Sequence, residues 1–348
     1  MNSDSGKTSK RKKEHLDLCL TDKVAFKNKS AGFEYYDFYH NAITEVEIDK
    51  INFNTDFLRK KINYPFLISC MTGGTVKAKS INAELAIAAQ ELNIPIGVGS
   101  QRQAVEDKKH INSYKIIRKN APSVPVLANI GAAEVVKYKS LAPYRIMIDM
   151  VEADALVIHI NSLQELIQPE GEPNFKGLLK RINKLVQQIS VPVIVKEVGA
   201  GISPQAAEKL LGSGVEGIDV AGAGGTSWAG VEILRNNFND ENVFWDWGLP
   251  TTYCIKEIFK LKRKYDFTLV GSGGIYAGID VAKGLALGAD LVASARIILK
   301  ELDLKGTEGV KKLITNWFED IKRIMFLTGS QSIKDLRKDK LIRKELLF

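Results

Sequence analysis

The sequence holds three cysteines, Cys19, Cys70 and Cys254, and no CxxC pair. An odd number at wide spacing excludes a disulfide framework or a zinc knuckle and points to a reducing compartment, so a cytoplasmic location is expected. Histidine is almost as scarce, with four residues and no HxxxH pair, which argues against a zinc site. No apolar run reaches the roughly 20 residues that a membrane helix needs. The opening stretch MNSDSGKTSKRKKEH has no apolar core, so no secretory leader is expected. Also missing is a GxGxxG fingerprint closing an early strand, which weighs against a doubly wound dinucleotide-binding sheet.

The composition that remains, 45% apolar and 26% charged, is that of an ordinary soluble globular chain. Its 348 residues fit two average domains or one large α/β barrel. The net charge of +8 is mixed with acids along the chain, apart from the cluster KRKK at 10–13. Nothing like an RRM, a zinc finger or a basic zipper follows that cluster. The charge is therefore read as serving a small anionic substrate rather than nucleic acid or a membrane surface.

Eight short β-branched runs alternate with helical stretches: 65–70, 94–98, 124–128, 155–160, 191–196, 217–221, 267–271 and 290–294. They are near-continuously apolar, as strands covered on both faces should be, and eight strand–helix units imply a single α/β (β/α)₈ TIM barrel. Helices are expected over 80–92, 177–189, 204–211, 278–287 and 306–327, with Ser203-Pro204 as a cap and first-turn proline and Gly329 as a stop. The chain divides into an N-terminal extension at 1–64, the barrel at 65–330 and a tail at 331–348. The tail is charged and reads as an arm or a partly disordered segment. The loop after strand six, 226–252, carries three of the four tryptophans (Trp228, Trp245 and Trp247) and is expected to fold over the barrel mouth.

Chemistry in such a barrel sits at the C-terminal strand ends, and a phosphate is often held after strands seven and eight. Strand seven ends in Gly271-Ser272-Gly273-Gly274, and strand eight in Ala293-Ser294-Ala295. Gly273 and Gly274 let backbone N–H groups approach phosphate oxygens, and Ser294 adds a hydroxyl. Tight turns alone would also favour glycine. Strand five ends in Lys196, at the end of an apolar run. It suits the N1 edge of a flavin mononucleotide, with an ion pair to Glu197 or Glu165 as the structural alternative. Arg11, Lys12 and His15 belong to a segment that by itself reads as a solvated charge run. As a diphosphate clamp it needs a partner, which Arg102 at the end of strand two can supply. Glu165 and Glu170 flank the end of strand four, where a carboxylate beside a diphosphate implies Mg²⁺. His159 is as compatible with a packed residue as with a ligand.

Taken together, these strand ends resemble the type 2 isopentenyl-diphosphate isomerases, FMN-dependent (β/α)₈ enzymes. The resemblance rests on RKKEH at 11–15, MTGG at 71–74, GSQR at 99–102, LANIG at 127–131, HIN at 159–161, QELIQPEGE at 164–172, VIVKEVG at 193–199, DVAGAGGTSWAGVE at 219–232, GSGG at 271–274 and ASAR at 293–296. Each motif alone is weak; their order and spacing are specific. The segment HNAITEVEID at 40–49 departs from the family's usual run, at a place where no ligand contact is expected.

The resemblance implies that Met71, Thr72, Gly73, Ser100, Asn129, Lys196, Thr226, Gly273, Gly274, Ile275, Ser294 and Ala295 bind FMN. It implies that Arg11, Lys12, His15, Ser100, Gln101, Arg102, Asn161 and Gln164 hold isopentenyl or dimethylallyl diphosphate. Glu165 would bind Mg²⁺, and Gln164, Glu165, His159, Glu232 and Trp228 would form the catalytic set. The implied reaction moves a double bond with reduced FMN as acid and base, NADPH serving only to reduce the flavin. A homo-oligomer, tetramer or octamer, is implied as well. Two rivals remain at this point: an FMN-dependent α-hydroxy-acid oxidase or dehydrogenase, and a basic nucleic-acid-binding protein without chemistry.

Overall fold

The computed structural model describes residues 3–238 and 243–347. All eight apolar runs form strands: β1 (Phe66–Ile68), β2 (Ile96–Gly97), β3 (Val126–Gly131), β4 (Ala155–His159), β5 (Val193–Lys196), β6 (Gly217–Asp219), β7 (Thr268–Ser272) and β8 (Leu291–Ser294). They are parallel and close into a barrel in sequence order, with Ser294 of β8 opposite Ile68 of β1. Strand pleat divides the apolar residues between two cores. Leu67, Leu127, Val157, Ile194, Val270 and Leu291 fill the barrel interior together with Phe57 and Ile62. Those last two come from the hairpin Thr55–Phe57/Lys60–Ile62, part of the N-terminal extension. Alternate strand residues such as Phe66, Ile68, Val126 and Ala128 face the surrounding helices.

The helices begin where the sequence offers a cap. Thr75 accepts from Ala78 N and starts Val76–Leu92, a turn earlier than the apolar stripe shows. Ser203 caps Pro204–Leu211. The helix expected at 306–327 is present and follows a break at Gly306 (φ 62°); a further helical stretch from Arg296, directly after β8, leads into it, the two together spanning Arg296–Leu327. Gly329 takes a left-handed conformation just past its end.

Two readings are corrected. The segment around KRKK is a helix, Ser3–Cys19, lying across the barrel mouth, with the Lys12 ammonium donating to Gly73 O at 2.8 Å. The tail is not a free arm: Leu341–Arg343 pairs antiparallel with Tyr36–Phe38 of the extension. Leu336 is fully buried, and the Arg337 guanidinium donates to Ala289 O at 2.6 Å. A three-residue strand is too short to show alternation in sequence, so its charges dominated the reading.

The loop after β6 folds over the mouth as expected. Its helix Trp228–Arg235 is capped by Ser227, and Ala229, Ile233 and Trp245 pack against Leu163 and Ile167 of the helix after β4. Trp245 also donates to Ala25 O at 2.9 Å, tying this loop to the extension. Among the described residues no helix is long and apolar enough to cross a membrane.

Candidate active site at the barrel mouth

The C-terminal strand ends and the N-terminal helix enclose one cavity of about 280 Å³. In its floor His159 and Lys196 stand side by side in register on β4 and β5, flanked in the sheet by Gly131 of β3 and Asp219 of β6. At the β7–β8 side the wall is backbone. Gly273 (φ 105°) and Gly274 (φ 66°) hold conformations that favour glycine, and a Cβ on Gly273 would lie 2.1 Å from Gly222 O. That crowding explains why glycine is there. It does not explain why the N–H groups of both glycines meet no acceptor among the described residues. Next to them the helix Arg296–Leu327 begins at Ala295 with no side-chain cap. Donors of this kind at a helix start suit an anion, which is how an FMN phosphate fits.

Lys196 is buried and donates to the backbone oxygen of Glu197 at 2.5 Å, while its nearest carboxylate is that of Asp219, 3.9 Å away. Neither expected ion pair forms. The Glu197 carboxylate turns back to accept from the N–H groups of Val198, Gly199 and Ala200. A cation left with one loose partner in the cavity floor fits the electron-rich edge of a flavin. His159 Nδ1 meets Asn129 Oδ1 at 2.7 Å. Burial lowers its pKa to about 4, so the ring is neutral at physiological pH and leaves Nε2 as an acceptor.

Opposite the glycine turns the wall is cationic. The Lys12 ammonium donates to Gly73 O, Ser100 O and the Tyr114 hydroxyl. Burial, with the guanidiniums of Arg102 and Arg11 nearby, lowers its pKa to about 7. Arg11 is shifted down by the same burial and by Arg102. Arg102 donates to Glu134 Oε1 at 2.7 Å. Burial works against the Arg102 charge, and Glu134 more than restores it.

Between the two walls lies a polar chain. The Glu232 carboxylate, fully buried, meets His15 Nε2 at 2.9 Å and accepts from Gln164 Nε2 at 3.1 Å and Arg235 Nε at 2.8 Å. Burial alone would push this carboxyl up; the hydrogen bonds from His15, Gln164 and Arg235 override it and hold the pKa at about 2. Gln168, its amide oriented to suit its neighbours, donates to Glu232 at 3.2 Å and accepts from Arg11 at 2.8 Å. The His15 ring stands edge-on to Trp228 at 5.1 Å. Asn161 donates to Glu165 Oε1 at 2.9 Å, and its own Oδ1 is buried without a partner. That orphan acceptor is ready for a donor from a ligand.

Glu165 Oε2 accepts from Glu172 N at 2.7 Å, and no cluster of three or more His, Cys, Asp or Glu side chains occurs among the described residues. A divalent ion therefore fits here only if a ligand's own oxygens complete its shell.

Nearly every residue singled out from sequence lines this cavity: Arg11, Lys12 and His15 from the helix; Met71, Thr72, Gly73, Ser100, Arg102, Asn129, His159, Asn161, Gln164, Glu165 and Lys196 from the first five strand ends; Thr226, Trp228, Gly273, Gly274, Ile275, Ser294 and Ala295 from the last three. Glu232 stands behind the wall and acts on it through His15 and Gln164. Gln101 does not reach the cavity. It is fully buried, donating to Met147 O and accepting from Asn129 N, so a substrate contact assigned to it is corrected to support of Asn129. Sequence reasoning missed Glu134, Gln168, Tyr114 and Arg235, all of which hold residues it found. Only the acidic QPE stretch at 168–170 gave any signal.

The profile of the FMN-dependent dehydrogenase family matches residues 147–343. A protein of Chlorobium limicola named isopentenyl-diphosphate delta-isomerase is 45% identical over 350 residues, covering 97% of this chain and 96% of its own. One of Methanosarcina mazei with the same name is 43% identical, covering 94% of this chain and 90% of its own. Among solved structures, one described as a lactate oxidase of Pediococcus acidilactici superposes with a TM-score of 0.71 at 16% identity, covering 96% of this chain and 94% of its own. A flavocytochrome b2 variant gives 0.69 at 18% identity, covering 96% and 83%. At such identities the likeness to these enzymes is one of fold, whereas the isomerase matches exceed 40% identity over nearly the whole chain. The chain belongs to the FMN-dependent isopentenyl-diphosphate delta-isomerase family.

Proposed function

We propose that this chain interconverts isopentenyl and dimethylallyl diphosphate at the barrel mouth, with FMN as its resident cofactor. The observation that carries the reading is the cationic wall of Arg11, Lys12 and Arg102 facing the open N–H groups of Gly273 and Gly274 across one cavity. Two separated anion sites are what a flavin phosphate and a substrate diphosphate require. Reduced FMN, kept reduced by NADPH, supplies the acid–base chemistry that an unactivated alkene cannot draw from ordinary side chains.

The protein's residues do the rest. Gly273, Gly274, Ser294 and Ala295 hold the flavin phosphate. Met71, Thr72, Gly73, Ser100, Asn129, Thr226 and Ile275 line the ring's bed, and Lys196 favours negative charge on it. Arg11, Lys12, His15, Ser100 and Arg102 bind the diphosphate; Asn161 fixes Glu165 through its Nδ2 and offers its free Oδ1 to a donor of the substrate complex, and Glu165 would hold Mg²⁺ there. Gln164, Glu165, His159 and Trp228 surround the reacting carbons, with Glu232 behind Gln164. The N-terminal helix keeps water out and the alkene in place. A cytoplasmic homo-oligomer, tetramer or octamer, completes the reading.

The test is turnover of isopentenyl diphosphate by the flavin-reduced protein in deuterated water. Deuterium appears in dimethylallyl diphosphate, and NADPH is needed only in catalytic amount. Stoichiometric oxidation of an α-hydroxy acid with no isomerisation would replace this reading by the oxidase. That outcome is disfavoured by the stretch after β7, Gly273-Gly274-Ile275-Tyr276, which offers no histidine base.

A further inference from the structure

Arg235 ends the helix Trp228–Arg235 and is not part of the cavity wall, yet its side chain is only 8% exposed. Its guanidinium meets three carboxylates from three elements. Nε donates to Glu232 Oε2 at 2.8 Å, three residues back on its own helix. Nη2 donates to Glu170 at 2.8 Å, in the loop after the helix Ser162–Ile167. Nη1 lies 3.7 Å from Glu14 of the N-terminal helix. The two outer partners are half-exposed, while Glu232 is fully buried. The inner contact is thus the one made out of water, where a charge-assisted bond weighs most.

The charge state of Glu232 has a geometric consequence. A carboxylate only accepts, so Gln164 must turn its amide nitrogen toward Glu232, as it does at 3.1 Å, and its carbonyl toward Asn161 Nδ2 at 3.2 Å. A protonated Glu232 is itself a donor, and the amide would then gain by turning over.

We propose that Arg235 is a positioning residue: by keeping Glu232 a carboxylate it sets the direction of the Gln164 amide in the active site. With the same guanidinium it joins the 170 loop and the N-terminal helix above the substrate. The other groups facing Glu232 are His15 and Arg11 from the N-terminal helix and Gln164 and Gln168 from the segment after β4, where Glu170 shares the Arg235 guanidinium. Arg235 alone bonds the second carboxylate oxygen. The catalytic consequence rests on the isomerase reading; the electrostatic one does not.

The experiment has two arms. In the first, kcat and KM for isopentenyl diphosphate are measured against pH for the unmodified protein, Arg235→Lys and Arg235→Met. Arg235→Met is expected to lose at least tenfold in kcat with KM within threefold, and its acidic limb to move up by a unit or more. Arg235→Lys recovers most of the rate. In the second arm, Arg235→Met is made in a Glu14→Gln/Glu170→Gln background, which removes both half-exposed carboxylates, and Tm is compared with that background alone at pH 7 and pH 4. Without Arg235, one of the hydrogen bonds that offset burial is gone; His15 and Gln164 still hold the Glu232 charge, but the carboxyl moves up and takes up a proton more readily as pH falls, so the Tm deficit narrows at pH 4. A merely structural arginine gives the same deficit at both values. An unchanged deficit, or wild-type kcat and pH profile in Arg235→Met, overturns the proposal. If Arg235→Met does not fold, Arg235→Lys in the same background is read at the two pH values, with a smaller narrowing expected and a constant deficit equally fatal. An unmodified protein that fails to isomerise while the deficit narrows would sink the isomerase reading and leave the electrostatic role of Arg235 standing.

Discussion

Lys12 donates to three oxygens but forms no ion pair among the described residues, and two guanidiniums lie near it. Its ammonium gives up a proton near pH 7 in the folded chain, against about 10.4 in an unfolded one. Between those values the unfolded chain holds the extra proton, so stability rises with pH. Lys12→Met should flatten that rise in Tm scans and leave the ligand-free protein more stable than wild type at pH 6. A bound anion restores the charge. Titration with inorganic diphosphate at pH 8, in two buffers of different ionisation enthalpy, is expected to show close to one proton taken up. Lys12→Met should take up none, and equal uptake in both proteins would remove Lys12 from the anion site. At this scale the sequence was readable wherever a residue's chemistry clashed with its setting, as with a lysine closing the apolar run of β5. It was unreadable where direction decides: Gln101 and Arg102 are neighbours, yet one turns into the core and the other to the cavity.

The elements divide the work. On the proposed reading, strand ends build the flavin's bed and the N-terminal helix brings the substrate's cations. The strands were legible because two covered faces leave a continuous apolar signature. The helix was not, because its burial is polar. Leu16 is its only buried apolar residue among those described, and most of its docking is polar, through Ser9, Arg11, Lys12, Glu14, His15 and Asp17. A segment held by polar contacts to other elements has no periodicity to announce it. Deleting residues 1–19 is therefore expected to leave FMN binding within a few-fold of wild type while raising the Kd for dimethylallyl diphosphate at least a hundredfold. Joint loss of both ligands would show that the helix shapes the flavin's bed too. Gly273→Ala gives the mirror image. Its Cβ has no room beside Gly222 O and its φ disfavours alanine, so flavin titration by fluorescence quenching should weaken at least tenfold.

At the scale of the whole molecule, the barrel closes on itself and the two termini close on each other. The eightfold count of strand–helix units carried the first fact in the sequence. The second depends on contacts between residues 36–38 and 341–343, three hundred positions apart, and no local pattern reports them. The tail is nonetheless anchored by the buried Leu336 and by Arg337, which donates to Leu285 O and Ala289 O at the foot of β8. Burying a leucine is worth about 2 kcal/mol, and each lost kcal/mol costs about 1.4 °C in a chain of 348 residues. Removing residues 331–348 should thus lower Tm by at least about 5 °C once the bonds of Arg337 are counted. The mouth should not follow. Between the freed strand 36–38 and the N-terminal helix, the chain is pinned where Ala31 O accepts from Thr252 N and Thr252 Oγ1, both at 3.0 Å. FMN affinity and kcat measured at 20 °C are expected to stay within twofold of the full chain, so stability and activity separate. An unchanged Tm would mean that the tail is the free arm its charges suggest. A collapse of kcat would mean that the strand pair at the termini holds the mouth closed, and the pin at Ala31 would not be enough.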